Sequence, residues 1–211
     1  MFPVKLAAFP TLFGEFRQPD GPYLLIPRVS SERRQYVPVG FFDASVIASE
    51  QTLIVPGAGP YEFAVLSSAM HNAWLRFVAG RLKSDFRYSN QIVYNNFPWP
   101  ESVDDEHRDA IKKAATEVLD QREAELRRSP GASLATLYDP NLMPPALMRA
   151  HHALDRAVDA AYVPDGGKRK WASDAERVAF LFRRYRELTS LFPDEQTKLK
   201  PEGKKRLRLR H

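Results

Sequence analysis

The sequence predicts an α+β protein in which a small mixed sheet with a buried helix occupies residues 1–100 and an all-α helical bundle occupies residues 101–211. Three observations carry this. In the first hundred residues, short apolar and β-branched runs are punctuated by Pro, Gly, Asp and Ser, as strands joined by turns are. Over residues 61–79 the apolar spacing lengthens to three and four, the period of a helix. After Phe97-Pro98-Trp99-Pro100 only helical patterns remain.

Taken in order, residues 23–29 (YLLIPRV), 36–42 (YVPVGFF) and 52–55 (TLIV) read as strands. Pro27 and Pro38 point to edge or bulged positions, since neither can donate to a ladder. Residues 30–35 (SSERRQ) then fall at a hairpin tip. Phe63, Leu66, Met70, Ala73, Trp74 and Phe77 line a single helix that starts after Pro60 and stops at Gly80. It is apolar enough to be buried under the sheet, which would aim residues 80–96 outward.

The second half carries three amphipathic helices. One begins near Asp104 and Asp105, whose carboxylates suit a helix N-terminus, with Ile111, Ala115, Val118, Arg122 and Leu126 on one stripe. Another follows Pro144 and Pro145, with Leu147, His151, Leu154, Val158 and Ala161 or Tyr162 on its apolar side. The last opens with Ser173 and Glu176 in capping-box spacing and continues through Val178, Leu181, Phe182, Tyr185 and Leu188. Residues 164–170 (PDGGKRK) read as a flexible loop.

Composition narrows the function classes. The 211 residues are 44% hydrophobic, enough for a real core. The absence of cysteine excludes disulfides and thiolate metal sites and fits a reducing cytoplasm. No apolar run approaches the roughly 18 residues of a membrane span, and the N-terminal MFPVKLAAFPTLF is broken by Pro3 and Pro10 without a signal-peptide layout, so the expected location is cytoplasmic. From Thr197 onward seven basic residues stand against Glu202 alone, so this tail carries +6 and the rest of the chain −1. Such a tail is a solvated terminus or a sequence-independent attraction to phosphates.

Residues 80–100 (GRLKSDFRYSNQIVYNNFPWP) concentrate hydrogen-bonding side chains. On an extended segment the period of two puts Lys83, Asp85 and Arg87 on one face and Ser84, Phe86 and Tyr88 on the other. A donor, an acceptor and a forked donor in a row suit a base-pair edge, where Lys or Arg donates to guanine and Asp accepts from the cytosine amino group. An ordinary salt-bridged surface strand would have the same spacing, and spacing alone leaves both readings open.

Other motifs carry less. Gly57-Ala58-Gly59 lacks the third glycine and the acidic partner of a dinucleotide loop and reads as a turn. The order of Asn96-Phe97-Pro98-Trp99-Pro100 differs from the Asn-Pro-Pro-aromatic signature of amino-methyltransferases, and it reads as a rigid exit from the sheet. His151 and His152 point about 100° apart on a helix and cannot share a metal, so His151 reads as a core residue. No Ser-His-Asp, paired-carboxylate or metal signature is evident, so no catalysis is expected of this chain alone.

The stretches SSERRQYVPVGF, LKSDFRYSNQIVYNNFPWP and LYDPNLMPPALMRAHHALDRAVDAAY, in that order, resemble the C-terminal part of the MmeI-like type II restriction-modification proteins. The resemblance runs over residues 6–188. Those proteins join an endonuclease, a helical connector, an adenine-N6 methyltransferase and a target-recognition domain in one polypeptide. Only the target-recognition and C-terminal helical parts have a counterpart here, which implies a fragment or a truncated reading frame. The cofactors, S-adenosylmethionine and Mg, would belong to the parent enzyme and none to this chain.

The resemblance implies that Lys83, Asp85 and Arg87 read bases, and Asn90 is added to the expected set; groove chemistry sets Lys83 on guanine and Asp85 on the amino group of the paired cytosine. The expected backbone-binding set is Arg28, Ser30, Ser31, Arg33, Arg34, Tyr88 and Ser89. The implied partners are double-stranded DNA and a methyltransferase domain of the same or a separate chain, with no membrane. The alternative is a stand-alone specificity subunit that docks on a separate methyltransferase through an apolar patch around Trp99 or the N-terminal LAAFPTLF.

Overall fold

The structure is a computed structural model that describes residues 18–163 and 171–190. The basic tail, the 164–170 loop and the N-terminal apolar segment lie outside the described residues.

Two three-stranded sheets meet on one piece of extended chain. The first has the order β3-β1-β4, built from β1 (Tyr23–Pro27), β3 (Gly40–Phe42) and β4 (Thr52–Pro56). The second has the order β2-β6-β5, built from β2 (Val29–Ser30), β5 (Gly80–Leu82) and β6 (Asp85–Arg87). Arg28 stands between β1 and β2 and joins the sheets through its backbone. Its N–H donates to the Gln51 carbonyl at 2.9 Å, and its carbonyl accepts the Tyr88 N–H at 2.8 Å.

Among the described residues every strand pair is antiparallel, which corrects the expectation of a mixed sheet while leaving the α+β class as expected. Among the described residues no helix lies between the paired strands of the first sheet, and a parallel pair needs a long crossover; the helical segment between β2 and β6 returns the chain antiparallel. Residues 36–39 also leave the strand predicted for them. Two of their backbone groups go to side chains, the Val37 N–H donating to Asn72 Oδ1 at 3.0 Å and the Val39 carbonyl accepting from Arg122 Nη1 at 2.6 Å, while the Val39 N–H donates back to the Val37 carbonyl at 2.8 Å. Residues 30–35 therefore belong to a wide excursion between β1 and β3, not to a tight hairpin tip.

The helix expected over residues 61–79 is two helices, α1 (Pro60–Ser67) and α2 (Ala69–Val78). Ser68 between them is extended, with φ −74° and ψ 160°, and its hydroxyl accepts the His71 N–H to cap α2. The Asp155 carboxylate accepts the Ala69 N–H at 2.6 Å, so a carboxylate from the second half holds the break open. Residues 61, 63–67 and 70–75 of the two helices are buried, but Phe77, expected on the same buried stripe, is 66% exposed because it lies in the last turn, where α2 leaves the core.

The second half begins with α3 (Asp105–Arg128), capped by Asp104, whose carboxylate accepts the His107 N–H at 2.8 Å. The short α4 (Leu134–Leu137), α5 (Pro145–Ala161) and α6 (Asp174–Thr189) follow, the last capped by Ser173. The stripe Ile111, Ala115, Val118 and Arg122 is buried against α5, and α6 lies on α2 with Trp74 and Phe182 ring centres 5.0 Å apart. The helices complete the core of the sheets and do not enclose one of their own. One apolar cluster runs from Leu24 and Phe63 through Trp74 to Val118, Leu154 and Leu181.

Candidate nucleic-acid interface

The β5–β6 hairpin is the most exposed ordered element of the first half. Its register pairs Leu82 with Asp85 and Gly80 with Arg87, leaving Lys83 and Ser84 as a two-residue tip. Directly opposed residues of an antiparallel pair share a face. One face therefore carries Arg81 and Phe86, and Ser30 joins them from β2. The other carries Leu82 and Asp85 in one row and Val29, Arg87 and Gly80 in the next.

On the first face Phe86 and Ser30 are buried, and the exposed Arg81 covers them. The Arg81 guanidinium lies 4.0 Å from the Phe86 ring centre. Arg81 Nη1 also donates to the Ser84 carbonyl at 2.7 Å and to Glu32 at 3.2 Å, tying the tip to the 30–35 loop. That exposed ion pair contributes little energy on its own, but the stacked and doubly bonded guanidinium fixes where the tip stands. This leaves the opposite face free to present Asp85 and Arg87.

Lys83 departs from the expected row. It is not a strand residue in line with Asp85 and Arg87 but the first tip residue, with φ +57°. A left-handed conformation costs a lysine about 1 kcal/mol that glycine avoids. Lys83→Gly is therefore expected to raise stability by roughly 0.5–1 kcal/mol in urea unfolding while removing the ammonium group. A destabilised Lys83→Gly variant would refute the strain assignment.

Among the described residues, Lys83, Asp85 and Arg87 appear in no ion pair or side-chain hydrogen bond. They do not neutralise one another, as a salt-bridged surface strand would. Lys83 and Arg87 are exposed and Asp85 is half-buried.

The 30–35 loop stands beside the hairpin. Arg33 is exposed, and its N–H donates to the Ser31 hydroxyl at 3.4 Å. Arg34 Nη2 donates to the Ala135 carbonyl at 3.3 Å, anchoring the loop on α4. Ser31, Arg33 and Arg34 share a small surface depression with Asp139 and Pro140. Arg28 is half-buried at the junction of the sheets.

Two residues of the expected backbone-binding set do not reach the surface. Tyr88 is buried, with its hydroxyl 2.9 Å from His71 Nε2, and burial pushes its pKa well up. Ser30 is buried opposite Phe86 on the first face. Ser89 is a cap: its hydroxyl accepts the Ile92 N–H at the start of the single π-helical turn Asn90–Tyr94. Asn90 opens that turn and is half-buried, with its carbonyl accepting the Asn95 N–H at 2.8 Å. Trp99, the proposed centre of an exposed docking patch, is half-buried and packs edge-on against Tyr94 and Phe97.

Sequence reasoning missed Arg81 as the brace of the tip and Leu82 as an apolar member of the outward face. Both follow from the hairpin register, which the unremarkable tip dipeptide Lys83-Ser84 does not announce.

Comparison with known proteins places these features in a family. Residues 3–101 match the family described as "MmeI, target recognition domain", and residues 103–192 match "MmeI, C-terminal domain". A curated relative, DNA methyltransferase A of Bacillus subtilis (strain 168), is 38% identical over 185 residues, covering 88% of this chain and 20% of that protein. The solved type IIL restriction-modification enzyme MmeI, in complex with DNA, is 45% identical with a TM-score of 0.79, covering 89% of this chain and 24% of that one. The chain thus spans about a fifth to a quarter of the length of these relatives. It belongs to the MmeI family, as that family's target recognition domain followed by its C-terminal domain.

Proposed function

We propose that this chain is the sequence-specific, double-stranded-DNA recognition module of a type II restriction-modification adenine-N6 DNA methyltransferase. The observation that carries the reading is the β5–β6 hairpin: three charged side chains that form no ion pair among the described residues, Lys83, Asp85 and Arg87, on an element braced from behind by Arg81 and Phe86. Such a ribbon fits the major groove, where these side-chain types discriminate base edges. Lys83 donates to guanine O6 or N7, Asp85 accepts from the amino group of the paired cytosine, and Arg87 reads the neighbouring pair.

Arg28, Ser31, Arg33 and Arg34 then hold phosphates from the adjacent loop and set the register of the hairpin on the duplex. Residues 1–100 do the reading, and the described helices of the 101–211 half brace them through the shared core. The methyl transfer, with S-adenosylmethionine as donor and Mg serving cleavage, belongs to the parent polypeptide. The target adenine is flipped into that enzyme's methyltransferase domain, in the cytoplasm.

The test is selection of bound duplexes from a randomised library by the 211-residue chain at two salt concentrations. A short motif containing a G·C pair is expected. Lys83→Ala and Asp85→Ala should each relax one position by about 1–3 kcal/mol, whereas Arg33→Ala should weaken all sequences alike and reduce the salt dependence. A selected motif that is unchanged in both hairpin variants would exclude base reading by these residues.

A further inference from the structure

Gly80 follows the last residues of α2, where a glycine ordinarily ends a helix by adopting a left-handed conformation. It does not do so here. The helix ends on Val78, Ala79 caps it in an extended conformation with φ −68° and ψ 145°, and Gly80 enters β5 without a left-handed φ. Nor is there a steric demand for glycine, since a Cβ built at Gly80 meets no atom within 4 Å. In a strand, glycine forfeits packing and costs conformational entropy relative to a residue with a side chain. Nothing within the described fold explains its presence.

Its position supplies a reason. Gly80 lies directly opposite Arg87, in the row Val29, Arg87 and Gly80 on the outward face that also bears Asp85. A strand glycine marks a bulge, a tight bend or a place where another molecule comes close to the backbone, and the regular pairing of Gly80, Arg81 and Leu82 with Arg87, Phe86 and Asp85 leaves the last of these. The neighbouring Leu82 is 52% exposed, lies outside the apolar core and occupies the same face. A large apolar side chain beside three charges gains favourable contact there only when the face is covered.

We propose that Gly80 is a specificity-determining position: it is kept free of a side chain so that the hairpin seats deeply enough for Arg87 and Asp85 to reach base edges, with Leu82 closing the contact beside them. This rests on the DNA-recognition reading above. A Cβ or larger group at Gly80 would stand the strand off the groove floor and lengthen the Arg87 and Asp85 contacts past hydrogen-bonding range. The protein itself would tolerate the added side chain.

The experiment compares the wild-type chain with Gly80→Ala and Gly80→Val for thermal unfolding and for binding to the selected duplex and to a scrambled one. The expected result is an unchanged or higher melting temperature, loss of affinity for the selected duplex by about tenfold or more in Gly80→Val with a smaller loss in Gly80→Ala, and unchanged scrambled-duplex binding. Full retention of selective binding by Gly80→Val would overturn the proposal while leaving DNA recognition intact. A lowered melting temperature in both variants would also overturn it, by showing that the fold needs the glycine. Failure of the wild-type chain to prefer any duplex would remove the recognition reading and this inference with it.

Discussion

Arg122→Ala is expected to destabilise the protein by about 3–5 kcal/mol, among the largest effects of any single substitution outside the apolar core. Arg122 comes from the middle of α3 and is 3% exposed. Its Nε donates to the Tyr138 hydroxyl at 2.6 Å and its Nη1 to the Val39 carbonyl at 2.6 Å, while the guanidinium lies 4.8 Å from the ring centres of both Phe63 and Tyr138. No carboxylate is among its described partners, and burial pulls its pKa down, with the Tyr138 oxygen opposing the shift. The charge is stabilised by two hydrogen bonds and two ring faces in place of a counter-ion.

Truncation to alanine empties the space between those rings and strands the Val39 carbonyl, so cavity and unsatisfied-acceptor costs add. Arg122→Met retains most of the stem and removes the buried charge, leaving a loss of about 1–3 kcal/mol from the stranded carbonyl. Urea unfolding should therefore rank the alanine variant well below the methionine variant. A single transition is expected in each, because Arg122 joins α3 to residue 39 of the first half within one core. An alanine variant within 1 kcal/mol of wild type would show that the guanidinium is not a keystone.

How much of this could be read beforehand depends on the range of the interactions involved. The starts of α3, α5 and α6 were legible because their signals, Asp104, Pro145 and Ser173, act within one turn. The stripe residues of α3 and α5 were legible because a helix has a fixed period. The break at Ser68 was not, since the Asp155 that accepts the Ala69 N–H lies 86 residues away. Nor was the splitting of residues 23–30 between two sheets, which depends on Gln51 and Tyr88 meeting the backbone of Arg28.

The site was legible in the same uneven way. Alternation correctly separates Asp85 and Arg87 from Phe86 and Tyr88, and the same alternation that turns Arg87 outward turns Tyr88 inward, against its expected place on a phosphate. The tip escaped because Lys83 adopts a conformation that glycine or asparagine would have advertised. Gly80, read as a helix stop, has that meaning in most sequences; only its φ and its open surroundings separate a fold requirement from a surface kept bare.

Acidification from pH 7 to pH 4 is expected to destabilise the protein, with buried histidines driving the loss and one buried aspartate opposing it. Burial lowers the pKa of His71 to about 3 from the usual 6.5, and lowers that of His151 well below 6.5. A depressed folded-state pKa contributes stability that is present above 6.5 and lost as the pH falls towards the folded value, so His71 alone should cost about 3 kcal/mol by pH 4. Asp155 acts with the opposite sign. Burial outweighs its bonds from the Tyr36 hydroxyl and the Ala69 N–H and raises its pKa to about 6 from 3.8, so its contribution returns as the pH falls through 6. That recovery is about 2 kcal/mol at pH 4. His71→Gln, which keeps a polar atom near the Tyr88 hydroxyl, should flatten the acid limb by about 3 kcal/mol, and Asp155→Asn should steepen it by about 2 kcal/mol. Urea unfolding at pH 7, 5.5 and 4 tests both signs, since the two variants must diverge in opposite directions from wild type. Parallel acid limbs in all three proteins would place the acid sensitivity elsewhere.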